Sequence, residues 1–278
     1  MIVAVPHYLH YPICIDIIKR FNKNIIVEKP IALNTSEAKK MIDTAIKNKI
    51  LLRTFYPFIY ENQILIAKRL FELGIVGEMH GFSLAFHRFR PKHYWTDKDN
   101  NLSWRGIKKY SGGGFLLMYL VHGINNLKHI TGTRITEVNS FTANLFHNIE
   151  VEDTAVINFK CSDEALGSLT TSSAVIGSGA SLMRIWGDCG QILINEDRVS
   201  FYSNKKIDKY KSKRWNEVKT KLHKKNTRSI FLDQYTHDLE KNIQTCKNER
   251  GYESIKIIES VYKSSENNKS VKINLNAK

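Results

Sequence analysis

Residues 25–32 read Ile25-Ile26-Val27-Glu28-Lys29-Pro30-Ile31-Ala32. Three β-branched residues in a row, halted by a charged pair and a proline, describe a short strand that is apolar on both faces. Upstream, Ile2-Val3-Ala4-Val5 has the same character and is stopped by Pro6. Between the two, Pro12 to Arg20 carries Ile13, Ile17 and Ile18 at helical spacing. Downstream, Thr35-Ser36-Glu37 opens a second helix with a stripe of Ala38, Met41, Ile42, Ala45 and Ile46, and Ile50-Leu51-Leu52 begins a third strand. Strands without polar alternation, separated by helices, predict a parallel sheet covered on both sides. A doubly wound dinucleotide domain has about six strands. Three strands in the first 56 residues therefore suggest that the chain begins part-way through such a sheet.

Beyond Tyr56 the pattern changes. A helix from Glu61 to Leu73 is stopped by Gly74. Segments 78–89, 135–146, 154–160, 165–173, 182–186, 191–195 and 198–202 then read as strands with tight turns between them. One helix, Phe115 to Ile130, interrupts them, and another, Tyr252 to Ser264, closes the chain. The expected fold class is α/β: a partial Rossmann-like parallel sheet in residues 1–56, then an α+β domain with an open, mainly antiparallel sheet in residues 57–278.

The 278 residues are 42% hydrophobic and 25% charged, with 5 Pro and 15 Gly, which excludes collagen-like and wholly disordered chains. No apolar run approaches the ~20 residues of a spanning helix, and the N-terminus lacks the basic start of a signal peptide. The net charge is +15. Much of the excess lies between Lys205 and Arg228, where eleven basic residues face Asp208 and Glu217 alone, and this segment reads as a solvated, mobile connection. Nucleic-acid binding through it ranks low, because Tyr210 and Trp215 are its few aromatics and it holds no reader motif. Cys14, Cys161, Cys189 and Cys246 stand far apart without disulfide or zinc spacing. No metal site is expected, and a cytoplasmic location is.

Four places carry candidate chemistry. Val5-Pro6-His7-Tyr8-Leu9-His10 and Glu28-Lys29-Pro30 both end parallel strands, where ligands of such sheets collect. A lysine at that edge hydrogen-bonds a substrate oxygen, although a surface Glu-Lys pair is the plainer reading. Gly112-Gly113-Gly114 precedes the helix that bears Met118 and His122. With no apolar strand feeding them, the glycines read better as a close-packed turn than as a phosphate cradle. His122 has the chemistry of a general base and equally that of a partly buried helix residue, with Asn125 and Asn126 a turn further on. The loop 88–111 interleaves Arg90, His93, Tyr94, Trp95, Trp104 and Arg105, which suits sugar, nicotinamide or phosphate, or an interface between subunits. Gly177-Ser178-Gly179 imitates a nucleotide fingerprint but lies between antiparallel strands and is rejected.

Taken in order, these pieces resemble the Gfo/Idh/MocA oxidoreductases. The matching segments are 5–10, 26–32, Leu-Gly-Ile-Val-Gly at 73–77, Trp-Arg-Gly at 104–106, and Gly-Gly-Gly through Val-His at 112–122. They continue with Glu-Asp-Thr-Ala at 152–155, Trp-Gly-Asp-Cys-Gly-Gln-Ile at 186–192 and Glu-Ser-Val-Tyr-Lys-Ser at 259–264. The resemblance implies a dinucleotide domain that binds NAD or NADP and a second domain that shapes a carbohydrate-like site and forms homodimers or homotetramers through its sheet. It implies cofactor contacts from Pro6, His7, His10, Glu28, Lys29, Trp104, Arg105 and, more weakly, Tyr235. Lys29 and His122 become the catalytic pair, and Tyr94, Trp95, Asn125 and Asn126 the substrate-facing residues. The implied reaction is hydride transfer between NAD(P) and a secondary alcohol of a sugar, sugar nucleotide or cyclitol.

Departures from the family pattern lend weight to a second expectation, a non-catalytic relic that still dimerises. The glycine-rich phosphate loop is absent, Met118 replaces a usual Asp or Asn, and Asn125 stands where an acid commonly follows the histidine. Residues Ile59 to Asn62 replace an Arg-x-x-Pro motif.

Overall fold

A computed structural model describes residues 1–177, 179–207, 210–219, 226–245 and 249–274. Ser178, Cys246 and several members of the basic segment, among them Asp208, Lys209, Lys221, Lys224 and Lys225, lie outside the described residues.

The first sheet is parallel and three-stranded, in the order β1 (Ile2–Val3), β2 (Ile25–Val27), β3 (Leu52–Thr54). Its crossovers are α1 (His10–Asp16), which runs on into a π-type turn at Ile17–Phe21, and α2 (Thr35–Lys47). The α2 start follows its sequence: Asn34 accepts the Glu37 N–H at 2.9 Å, and Glu37 reaches back to the Leu33 N–H. All three residues of β2 are buried, as their unbroken apolar run predicts.

The second sheet has nine strands in the order β11-β10-β9-β8-β4-β7-β6-β5-β12. They are β4 (Met79–His87), β5 (Ile135–Ala143), β6 (Thr154–Cys161), β7 (Leu166–Ser172), β8 (Ala180–Gly187), β9 (Gly190–Asn195), β10 (Arg198–Ser203), β11 (Trp215–Val218) and β12 (Val271–Lys272). Every pair is antiparallel except β4 with β7, so the sheet is mainly antiparallel as expected. Five further α-helices occur among the described residues: α3 (Asn62–Glu72), the single turn α4 (Lys108–Ser111), α5 (Phe115–Thr131), α6 (Thr227–Glu240) and α7 (Arg250–Asn267).

Two corrections concern the basic stretch. Residues 215–218 are not a loose connection but an edge strand, with Val218 opposite Val199 and Trp215 opposite Tyr202. The helix α6 was not foreseen either. Its Phe231, Tyr235 and Leu239, spaced by four residues, fold back over Ile26 and Leu51 of the first sheet. The chain end thus covers the sheet that the chain start builds. One continuous core spans both sheets, from Val3 and Val27 through Ile64 to Leu169 and Ile185.

Helix α5 is apolar on nearly every side and runs through this core, as such a helix must. Its N-terminal donors have no intrahelical partner, and residue 152 supplies most of what they need. The Glu152 carboxylate accepts the Gly114 and Leu116 N–H groups at 2.9 Å, and its backbone carbonyl accepts Phe115 N–H at 3.1 Å. Tyr262 donates to the same carboxylate at 3.1 Å. The glycines before the helix are the close-packed turn: a Cβ on Gly114 would lie 2.0 Å from the Glu152 carbonyl oxygen, and one on Gly113 equally close to the Tyr262 hydroxyl. Replacing Glu152 by Ala strands two buried backbone donors and the Tyr262 hydroxyl and is expected to cost about 2–4 kcal/mol in urea unfolding, with Glu152→Gln costing less. A loss below about 0.5 kcal/mol for the alanine variant would contradict this capping role.

Candidate active site

Both strand ends named from the sequence open into one cavity of about 380 Å³. Pro6 and His7 reach it from the end of β1, Glu28 and Lys29 from the end of β2, Met118 from α5, and Tyr94, Trp104 and Arg105 from the long loop after β4. Apolar strands fix this arrangement, because they leave polar residues only where the strands end. His7 is held by its Nδ1 against the Ser111 carbonyl at 2.8 Å, and its ring meets Trp104 edge-on at 4.6 Å between centroids. Burial pushes the His7 pKa down to about 3, so the ring is neutral at working pH.

Lys29 is the centre of the cavity. Its Nζ donates to the Met118 carbonyl at 3.2 Å, on the turn of α5 that precedes His122. Burial lowers the Lys29 pKa, the Glu28 carboxylate opposes that shift, and the guanidiniums of Arg90 and Arg105 add to it.

His122 itself opens into a neighbouring cavity of about 390 Å³, with Phe58, Glu61, Phe115, Tyr119 and Asn126. Its ring packs against Phe58 at 4.4 Å and Tyr56 at 6.1 Å, and among the described residues its nitrogens make no hydrogen bond. Burial lowers its pKa well below the usual histidine value, and the nearby Lys29 charge lowers it further. The two residues therefore line separate cavities, Lys29 with Met118 and His122 with Tyr119, and lie close enough for the Lys29 charge to act on the imidazole. The Met118 side chain takes no polar role beyond accepting a hydrogen bond from the Tyr94 hydroxyl on its sulfur at 3.1 Å.

Several expected contacts fall elsewhere. Trp95 is 1% exposed and packs with Phe115, Met118 and Val151, so it supports the loop and does not face a ligand. Asn125 is buried and donates to the Val121 carbonyl and the Ser254 hydroxyl, both at 2.7 Å, which ties α5 to α7. His10 is fully buried, with its ring nitrogens against the Pro30 and Val5 carbonyls at 2.7 and 2.9 Å, a brace between two strand ends. Tyr235 gives its hydroxyl to the Leu51 carbonyl at 3.2 Å and lines a separate cavity with Arg53, Glu249 and Arg250. Asn126, in contrast, does line the His122 cavity, and its buried Oδ1 has no partner.

The sequence-based choice of site residues passed over Arg90. It stacks on Tyr94 at 4.6 Å and donates to the Tyr119 hydroxyl, thereby touching residues of both cavities. Its signal was the alternation of arginine and aromatic residues along the loop.

The residues present suit the nicotinamide end of a dinucleotide: an aromatic face at Trp104, a lysine and a carboxylate at strand ends. The pyrophosphate end is different. It calls for a glycine turn between strand and helix, and no glycine occurs before Gly74.

Comparison with known proteins agrees with the fold. Residues 1–56 match the family model described as oxidoreductase family, NAD-binding Rossmann fold, and residues 64–193 match the GFO/IDH/MocA C-terminal domain. A 2,7-anhydro-N-acetylneuraminate hydratase of Escherichia coli is 29% identical over 148 residues, 53% of this chain and 37% of that protein. A levoglucosan dehydrogenase of Pseudarthrobacter phenanthrenivorans is 28% identical over 130 residues, 47% of this chain and 32% of its own length. The chain thus matches less than half the length of these curated relatives. Among solved structures, levoglucosan dehydrogenase in complex with NADH and levoglucosan superposes with a TM-score of 0.84 at 20% identity, over 98% of this chain and 79% of the other. With one family's two domain models matched in order along it, the chain belongs to the Gfo/Idh/MocA oxidoreductase family.

Proposed function

We propose that the chain carries the nicotinamide end and the substrate side of an NAD(P)-dependent oxidoreductase acting on a secondary alcohol of a sugar, sugar nucleotide or cyclitol. The observation that carries this reading is the Lys29 Nζ on the Met118 carbonyl, which sets an amine of lowered pKa one helical turn from His122. When bound, the cofactor supplies or accepts the hydride. Pro6, His7, Glu28, Lys29, Trp104 and Arg105 are the residues that would hold its nicotinamide end. Lys29 donates a hydrogen bond to the reacting oxygen, and neutral His122 takes the alcohol proton, a role worth about 10²–10⁴-fold in rate. Asn126 and Tyr94 contact the remaining hydroxyls. On this reading residues 1–56 form the dinucleotide part and 57–278 the substrate and assembly part.

The outer face of the second sheet supports assembly with further copies of this chain. Phe141 and Val156 stand opposite each other across β5 and β6, and both are exposed, as is Leu166. A homodimer or homotetramer through this face is part of the proposal. Among the described residues no helix is long and apolar enough to cross a membrane, and Cys14, Cys161 and Cys189 are unpaired, which fits a reducing cytoplasm.

Met118 one turn before His122, and Asn125 turned toward α7, favour a second reading, a non-catalytic member that keeps only the assembly role. Fluorescence titration separates part of this question. With no glycine before Gly74, the 278 residues by themselves are expected to bind NADH or NADPH more weakly than micromolar, and micromolar affinity would contradict this expectation.

Activity is tested with millimolar NAD⁺ or NADP⁺ against hexoses, uronates and inositols. Lys29→Met and His122→Gln should each lower turnover about 10²–10⁴-fold. His122 stays neutral well below pH 6.5 and Lys29 loses its proton below 10.5, so both limbs of the oxidation profile should lie on the acid side of those ordinary values. No cofactor reduction with any of these alcohols would favour the second reading, and full activity in Lys29→Met would remove Lys29 from the catalytic pair.

A further inference from the structure

The proposed proton and hydride chemistry leaves one feature unused, the positive charge gathered around Tyr94. The guanidinium carbons of Arg90 and Arg105 lie 4.6 and 5.3 Å from the centre of that ring. Arg105 also stacks on Trp104 at 4.6 Å, and Arg90 on Tyr119 at 5.7 Å. Both arginines are close enough to Lys29 to disfavour its charge. Against these three cations stands one carboxylate, Glu28. Among the described residues neither arginine pairs with an acidic side chain, and the Nε of Arg90 is buried without a hydrogen-bond partner. Glu61 and Glu196 line the His122 cavity, and the Glu150 carboxylate accepts the Lys108 N–H.

Partly buried like charges without counter-ions are unfavourable, and a bound anion relieves them. A guanidinium offers parallel N–H donors that match a carboxylate in a bidentate fork, and it does so best when stacked on an aromatic ring that fixes its plane. Tyr94 presents a flat apolar surface of the kind a pyranose ring covers. Resting on the oxidoreductase reading above, we infer that the substrate is an acidic sugar whose carboxylate is held by Arg90, with the Arg105 guanidinium adding positive charge from the cofactor side. Phosphates of a cofactor share this chemistry, but Arg90 stands toward the substrate side. Its hydrogen bond goes to Tyr119 of the His122 cavity, whereas His7 and Trp104 belong to the cofactor side.

Calorimetric titration of the whole chain with glucuronate and with glucose, at one fixed ionic strength, tests this. Glucuronate should bind about tenfold or more tightly than glucose. Arg90→Gln should weaken glucuronate about tenfold and leave glucose within about twofold, while Arg90→Lys, which keeps charge but not the fork, falls between. Millimolar NADH should leave glucuronate binding in place. Equal affinity for the two sugars, or displacement of glucuronate by NADH, overturns the proposal, the latter by giving the cations to the cofactor. If Arg90→Gln does not fold, the wild-type comparison of the two sugars and the Arg90→Lys variant still decide. Glucose and NADH binding with no preference for glucuronate would leave the oxidoreductase reading standing and remove the acidic substrate. Glucuronate binding in a chain that ignores millimolar NADH would do the reverse.

Discussion

A single hydrogen bond joins the two halves of the candidate site: the ammonium of Lys29, at the end of a buried strand, donates to the Met118 carbonyl of α5. In a regular helix that carbonyl already accepts the N–H of His122, and its second lone pair is free for the lysine. The contact matters because it fixes relative position. Lys29 follows the second strand of the three-stranded sheet and His122 lies on a helix of the same continuous core, and the hydrogen bond ties one element to the other. Glu152 does the complementary work from below, satisfying the first turn of α5 so that its N-terminal end can sit in a dry interior. Tyr262 of α7 and the brace from Asn125 to Ser254 complete the support.

Electrostatics then divide the labour among groups that look alike in the sequence. Burial lowers the pKa of His7, His10 and His122 alike, but His10 has both ring nitrogens against carbonyls and His7 has one, whereas among the described residues His122 makes no ring hydrogen bond and faces a cavity. Lys29 feels the same desolvation together with two guanidiniums, which brings its pKa down from the usual lysine range. Where a relay partner one turn before the histidine is replaced by Met118, the polar environment is provided from outside the helix, by Lys29 and the arginine-aromatic loop.

Much of this was legible in the sequence. The run Ile25-Ile26-Val27 before Glu28-Lys29-Pro30 announced a parallel strand with its chemistry at the end, and Gly112-Gly113-Gly114 before an apolar helix announced a tight turn. Other residues were misplaced for identifiable reasons. A helix apolar on all sides does not say which face meets the cleft, so Asn125 and Asn126 looked equivalent although one ties α5 to α7 and the other borders a cavity. Trp95 and Tyr94 are neighbours in a loop without periodicity, and only packing decides that the indole goes inward. The stripe Phe231, Tyr235, Leu239 was readable as a helix face, but the lysines before it suggested a solvated segment. Edge strands as short as β12 draw their existence from the partner strand and leave little trace in local sequence.

The most direct test of the central contact is the titration of His122 followed by NMR at its ring carbon, in the wild type and in Lys29→Met, with His122→Gln used to assign the signal. If Lys29 is tethered beside His122 and its charge helps to hold the imidazole neutral, the His122 pKa rises when Lys29 is removed. An unchanged pKa would mean that the two side chains do not share a site, and the account built on them would be wrong.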